Sequence, residues 1–223
     1  TNQMTTMTYN ADHRLLTMAD ANNHTFVNNT YDDRGRVAEQ RDAANNLWTF
    51  AYDEDLHKTI VTSPRGYATT YEYDGEWRLV KETDALNKSA LYAYDADFNR
   101  IQVVDRRGFT TTMGFDERGN MLVVTNTLGY TTSMTYDQRN NLLTQRDARG
   151  FVTTFVYDAN SNLIQRIDPL ANVAVMAYDN LGQMIRVTDA RGNATSFGYD
   201  SLGYRTVVTN ATGAATSSVY DLA

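Results

Sequence analysis

Tyr178-Asp179-Asn180-Leu181-Gly182, Asp189-Ala190-Arg191-Gly192-Asn193 and Thr195-Ser196-Phe197-Gly198-Tyr199 follow one another within a single short stretch, and Tyr199-Asp200 then opens the same series again. Working outward, Tyr9, Tyr31, Tyr52, Tyr73, Tyr94, Phe115, Tyr136, Tyr157, Tyr178, Tyr199 and Tyr220 form one column, spaced by 22 residues at the first interval and by 21 thereafter. Ten of the 15 tyrosines stand in it, and aspartate follows each aromatic from Asp32 to Asp221, with Asn10 after Tyr9. Self-similarity at a fixed period is the signature of a repeat architecture and decides the fold before any local propensity does.

Further columns share the frame. Eleven residues after the aromatic stand Asp20, Asp42, Ser63, Asp84, Asp105, Asn126, Asp147, Asp168, Asp189 and Asn210. Three residues on come Asn23, Asn45, Gly66, Asn87, Gly108, Gly129, Gly150, Ala171, Gly192 and Gly213. Another glycine column lies four after the aromatic, at Gly35, Gly119, Gly182 and Gly203, with Asn140 and Ser161 in the same place. Asp and Asn fold back onto backbone N–H groups, glycine supplies positive φ, and Pro64 and Pro169 preset φ at the second position of their turns. Each repeat therefore carries two turns, and the segments between them have ordinary strand length. Helical i, i+3, i+4 spacing is absent.

The strand before each tyrosine alternates: Thr153, Phe155 and Tyr157 share one face, as do Thr195, Phe197 and Tyr199, while Ala51, Gly114, Thr135 and Gly198 lie on the other. The following strand opens with aliphatics, as in Leu142-Leu143 and Met184-Ile185. The expected fold is all-β: about ten β-hairpin repeats of 21 residues over 1–223, starting near Tyr9, Tyr31, Tyr52, Tyr73, Tyr94, Phe115, Tyr136, Tyr157, Tyr178 and Tyr199. Such a meander of about twenty strands would be roughly 95 Å across at about 4.8 Å per strand, and accumulated twist predicts a curled antiparallel ribbon rather than a flat sheet.

Composition excludes several classes. Across 223 residues there is no cysteine, which removes disulfide scaffolds, thiolate metal sites and thiol nucleophiles. No apolar run is long enough for a membrane-spanning helix. A net charge of −7 argues against a phosphate-neutralising surface, so no nucleic-acid partner is expected. The chain begins at Thr1 and is read as a piece of something longer.

The series Tyr-Asp-x-x-Gly, Asp-Ala-Arg-Gly, Thr-x-Phe-x-Tyr, cleanest from Tyr178 to Tyr199, resembles the YD repeat of the Rhs (rearrangement hotspot) proteins, and the resemblance covers the chain from about Tyr9 to Tyr220. It implies a ribbon spiralling into part of a hollow Rhs-type shell. In bacterial Rhs proteins and the related insecticidal toxin-complex subunits such a cocoon encloses a C-terminal toxin, and many members are effectors of type VI secretion or other contact-dependent competition; the animal teneurins use a similar shell in adhesion. The strict period and the Asp-Ala-Arg-Gly copies look bacterial. The chain departs from the pattern at Asp53-Glu54-Asp55-Leu56-His57-Lys58, which lacks the turn glycine and aliphatic, at Trp77 and Phe98 in the glycine column, and around Phe26–Thr30, where one residue is extra. The Asp-Pro-x-Gly-Leu segment of the family's self-cleavage region is absent from these residues.

Candidate sites reduce to turn chemistry. Seventeen of the 27 acidic residues occupy the two turn columns. Asp95-Ala96-Asp97-Phe98-Asn99 begins like a calcium loop, but Arg100 and Arg106 stand where that loop needs glycine and glutamate. His13, His24 and His57 have no ligand spacing, and no Gly-x-Ser-x-Gly elbow or phosphate loop occurs. No catalytic, cofactor-binding or metal residue is assigned, no cofactor is expected, and an enzyme is the third-ranked reading. Off-column aromatics Trp48, Trp77, Tyr67, Phe109, Tyr130 and Phe151 are candidates for stacking on a glycan; four recur beside the turn glycine, which favours packing, whereas Trp48 and Trp77 are sporadic.

The expected function is thus a structural shell segment of a secreted or delivered bacterial toxin or effector. Its partners would be adjoining repeats of the same shell, an enclosed toxin domain and secretion-system components. The alternative is a carbohydrate- or receptor-binding module at a cell surface. Because the chain stops inside a repeat at Tyr220-Asp221-Leu222-Ala223, its end strands are expected to self-associate.

Overall fold

The computed structural model describes residues 4–220, so Asp221, Leu222 and Ala223 lie outside the described residues. The chain divides into two units, Thr1–Thr111 and Thr112–Ala223. Strands β1 (Thr6–Tyr9), β2 (Leu15–Ala19), β3 (Thr25–Tyr31), β4 (Val37–Asp42) and β5 (Leu47–Asp53) open the first unit. It continues through β6 (Lys58–Thr62), β7 (Ala68–Tyr73), β8 (Leu79–Thr83), β9 (Ser89–Tyr94) and β10 (Arg100–Val104). Strand β11 (Thr110–Phe115) straddles the boundary. Then follow β12 (Met121–Thr125), β13 (Thr131–Tyr136), β14 (Leu142–Arg146), β15 (Val152–Tyr157) and β16 (Leu163–Ile167). The second unit ends with β17 (Val173–Tyr178), β18 (Met184–Thr188), β19 (Ala194–Tyr199), β20 (Arg205–Thr209) and β21 (Ala215–Ser217). Among the described residues there is no helix.

Within each unit the strands pair antiparallel with their sequence neighbours. Each Tyr-Asp turn joins a hairpin such as β13–β14, whose register runs from Ser133↔Arg146 to Tyr136↔Leu142, with a bulge between Thr135 and Tyr136. The other turn joins one hairpin to the next through a shorter ladder, as in Val123↔Ser133, Val124↔Thr132 and Thr125↔Thr131 between β12 and β13. The extra residue of the first repeat is absorbed as a register shift: Met18 pairs with Val27 and Ala19 with Thr25, leaving Phe26 as the residue between.

Little of the chain is buried. Among the described residues Ala90 and Met176 are the only buried apolar residues, one in each unit, Asn29 is the one buried polar residue, and no side chain is fully inaccessible. The accessible surface is 15328 Å², against roughly 10,000 Å² for a compact monomer of this mass. Cohesion therefore comes from backbone ladders, same-face side-chain pairs and turns rather than from a thick interior.

Candidate functional site

The turns are the chemically organised part of the molecule. Among the described residues twenty have left-handed backbone, one for each turn, ten glycines and ten others; nineteen stand in the two turn columns and His57 stands one residue past its column. At the Tyr-Asp turn of the seventh repeat, Asn140 N–H donates to the Asp137 carbonyl at 3.2 Å and Asp137 N–H to the Asn141 carbonyl at 3.0 Å. This is a three-residue hairpin loop, a type I turn followed by a left-handed residue that forms a bulge.

The aspartate side chain completes it. Asp137 Oδ1 accepts the backbone N–H groups of Arg139 at 2.8 Å and Asn141 at 2.9 Å, and Oδ2 accepts Asn141 Nδ2 at 2.9 Å. The same triple grip holds Asp116 and Asp158 through Asn120 and Asn162, and Asp32 and Asp74 through Arg36 and Arg78. Hydrogen bonds from the Asn side chains hold the Asp116, Asp137 and Asp158 carboxyls below the usual 3.8, because each donor favours the ionised form. The second column works alike: Asp168 and Asp189 are held by Asn172 and Asn193, Asp105 and Asp147 by Arg107 and Arg149.

Successive hairpins are bolted by the column tyrosines. The ladder from β12 to β13 ends at Val123↔Ser133, so the Met121 carbonyl lies beyond it, and Tyr136 Oη donates to that oxygen at 3.1 Å. The same bond joins Tyr52 to Val37 at 2.9 Å, Tyr94 to Leu79 at 3.0 Å, Tyr178 to Leu163 at 3.1 Å and Tyr199 to Met184 at 2.8 Å. The acceptor is always the first residue of the preceding hairpin's second strand, the place where the sequence puts its aliphatic.

A second joint runs between neighbouring Tyr-Asp turns. At several of these turns the residue after the left-handed position touches the left-handed residue of the next turn. Asn120 Nδ2 donates to Asn140 Oδ1 at 2.9 Å, and Asn141 Nδ2 to Ser161 Oγ at 3.0 Å. The Arg14 guanidinium covers Gly35 so closely that a Cβ there would collide with it, and Gln183 Nε2 lies 3.0 Å from where a Gly203 Cβ would stand. Where the column residue is large, a ring is engaged: Trp77 meets His57 edge-on with centroids 4.7 Å apart, and Arg78 stacks 4.9 Å over Phe98. Trp77 and Phe98 keep the turn conformation without glycine, at φ of 61° and 66°. The His57 loop differs in register, since Tyr52↔Thr59 and Asp53↔Lys58 pair without a bulge.

The remaining candidates fall into place. Asp95 Oδ1 accepts Asp97 and Asn99 N–H and its Oδ2 accepts Asn99 Nδ2, so the calcium-like stretch is another Tyr-Asp turn. No group of metal-ligating side chains occurs among the described residues. His13 and His57 occupy left-handed positions, and His24 lies 3.4 Å from Asp20. Phe109 and Phe151 carry Arg107 and Arg149 at 4.8 and 4.9 Å over their rings and are nonetheless exposed, as are Tyr67 and Tyr130. Trp48 and Tyr67 line one groove with Asn46, Ser63, Pro64 and Arg65.

Within each unit the sheet is thus built of tyrosine-bolted hairpins that bury little of their surface. Residues 76–222 match the Teneurin YD-shell family model, and the chain belongs to that family, as the YD-repeat columns predict. Its role is structural, that of shell-forming repeats. The chain is similar to one in the crystal structure of TcdB2-TccC3-Cdc42, with a TM-score of 0.75, 15% identity and 98% of this chain matched. It is also similar to one in the crystal structure of TcdB2-TccC3, with a TM-score of 0.72, 16% identity and 93% of this chain matched. These likenesses concern the fold, and the chain spans 13% of the length of each of those chains. None of the curated proteins compared with the chain matches it.

Proposed function

We propose that residues 1–223 are one continuous stretch of the wall of a bacterial Rhs-type shell that encloses or presents a C-terminal toxin domain. The observation that carries this reading is the uncovered sheet: a family member with 15328 Å² of accessible surface and no fully buried side chain among the described residues has faces for other parts of an assembly to cover. Its partners are adjoining repeats of the same shell and the cargo, its place is outside the producing cell after secretion or delivery, and contact-dependent competition through a type VI or similar route is its setting. Catalysis belongs to the cargo and not to these repeats.

The test is proteolysis of the whole protein that contains the segment. A cargo domain that resists protease while the repeats are intact, and is digested once Tyr136, Tyr178 and Tyr199 are replaced by Phe, supports the shell. A cargo cut equally fast in both proteins, or a chain with no cargo domain at all, contradicts it. The alternative, a glycan-binding surface module, draws on the groove at Trp48 and Tyr67.

A further inference from the structure

The tenth repeat departs from the others at one exposed ring. Five residues after the column aromatic, other repeats carry arginine, asparagine or glutamine, as at Arg36, Asn141 and Gln183, apart from His57 in the third; the tenth carries Tyr204. In the first unit the arginine there lies over the next column aromatic, Arg36 over Tyr52 at 4.3 Å and Arg78 over Tyr94 at 5.3 Å. Tyr204 takes that same place on Tyr220, with ring centroids 5.1 Å apart and planes 27° from parallel. A break in an otherwise regular column is where a role besides folding is expected. Here it exchanges a guanidinium or amide for a phenol, a group that gives up a hydrogen atom to a one-electron oxidant.

The pair is set apart in two ways. Among the described residues it is the one place where two tyrosine rings meet, since the other ring pairs are His57 with Trp77 and Tyr73 with Trp77. Both rings are also open to solvent, each residue being 48% exposed. They are nevertheless held. Asp200 Oδ1 accepts the Tyr204 N–H at 2.9 Å, and Tyr220 Oη donates to the Arg205 carbonyl at 3.0 Å, the bolt of this repeat. Two reactive groups fixed against each other couple without first having to meet by diffusion.

Such coupling has a use in this chain. Without cysteine it has no disulfide to tie one element to another, whereas it has 15 tyrosines. We infer that Tyr204 and Tyr220 form a site of oxidative modification, joined as dityrosine when hydrogen peroxide and a haem peroxidase act on the protein. Each phenol loses its O–H hydrogen, as one electron and one proton, to the oxidant. The two radicals pair through ring carbons next to the hydroxyls, one C–C bond forms, and the hydrogens on those carbons shift to oxygen and restore both phenols. The chain loses two hydrogen atoms in all, and one hydrogen peroxide becomes two waters. The bond closes the segment from 204 to 220 into a loop, which restricts the unfolded chain more than the folded one. The site is independent of the shell reading, because it rests on two rings within one repeat joint.

The test is to treat the full chain with hydrogen peroxide and a haem peroxidase, then follow dityrosine fluorescence and map linked peptides by mass spectrometry. One link, between the peptides holding Tyr204 and Tyr220, is expected in monomeric protein, at a yield per chain that dilution leaves unchanged. Tyr204→Phe keeps the ring stack and is expected to lose this link. Tyr204→Asn, which installs the residue that Asn99, Asn120, Asn141 and Asn162 supply in other repeats, is expected to lose it as well. Tyr130→Phe removes a phenol that is more exposed but meets no other ring, and is expected to leave the yield unchanged. No dityrosine, a link mapped to other tyrosines of the monomer, a yield that falls in step with dilution, or undiminished dityrosine in the two Tyr204 variants would each overturn the assignment.

Discussion

The two units build the same turn from different residues. In the second, the left-handed positions of the Tyr-Asp turns are Gly119, Asn140, Ser161, Gly182 and Gly203, and the residues after them are Asn120, Asn141, Asn162, Gln183 and Tyr204. In the first, the left-handed positions are His13, Gly35, His57, Trp77 and Phe98, and arginine follows at Arg14, Arg36 and Arg78. Bulky residues adopt this backbone at a cost of roughly 1–2 kcal/mol. At His13, Trp77 and Phe98 the turn nevertheless persists, because the Asn10, Asp74 and Asp95 side chains and the bulge fix it, and glycine only lowers its cost; the His57 loop is a different turn, without the bulge. Arginine extends the joint: Arg36 lies 4.3 Å over the Tyr52 ring and donates to Glu54 at 2.6 Å, while Asn in the second unit makes one bond across.

Acid should have the largest effect, since it attacks what both units share. The carboxyls of Asp32, Asp42, Asp116, Asp137 and Asp158 titrate below their usual 3.8 in the folded chain, where amide and backbone donors favour the charge. Protonation therefore favours the unfolded state: this contribution is fully present above the unfolded value and is lost as pH falls through the lowered folded ones. The β circular-dichroism signal is expected to fall as pH drops below the ordinary aspartate range, and a signal unchanged by that acidification would show that the grip contributes nothing.

Next in size is removal of the bolts. Replacing Tyr136, Tyr178 and Tyr199 by Phe deletes three bonds to backbone carbonyls, at about 0.5–1.5 kcal/mol each. Urea denaturation should show a loss of about 2–4 kcal/mol in the second unit. An unchanged midpoint would make the tyrosines mere surface aromatics.

Trp77 separates the units most sharply. Trp77→Ala keeps the left-handed cost and loses the His57 contact, so a destabilisation of about 1 kcal/mol is expected. Trp77→Gly loses the same contact but relieves the backbone, and should be close to neutral by comparison. Equal losses for both would mean that the ring, not the backbone, governs this turn. Smallest is the amide bridge: a double-mutant cycle on Asn141 and Ser161 should give a coupling of about 0.5 kcal/mol, and zero coupling would remove the turn-to-turn joint from the account.

Much of this was legible in the sequence. The Tyr-Asp and Asp-Gly columns specify the turns, and alternation in Thr153-Thr154-Phe155-Val156-Tyr157 specifies a strand. The bolts escaped because a tyrosine's column says nothing of what its hydroxyl reaches: the acceptor is a backbone carbonyl, which any residue supplies. The joint from Asn120 to Asn140 escaped for another reason. Its partners stand 20 residues apart, one short of the period, and comparing like positions along a column hides a diagonal pairing. A search at that spacing would have paired His57 with Trp77 and Asn141 with Ser161. Trp48 read as a sporadic aromatic, and only the sheet brings it to one groove with Ser63 and Tyr67.

The central claim is that aspartate, not glycine, sets the repeat. Amide hydrogen exchange at single-residue resolution tests it most directly. Arg139, Asn141, Asn160 and Asn162 N–H groups, each held by a turn aspartate, should exchange far more slowly than exposed turn amides, in step with the flanking strands, and should lose that protection locally in Asp137→Ala and Asp158→Ala. Turn amides that exchange like free peptide, or that stay protected in the alanine variants, would contradict the account.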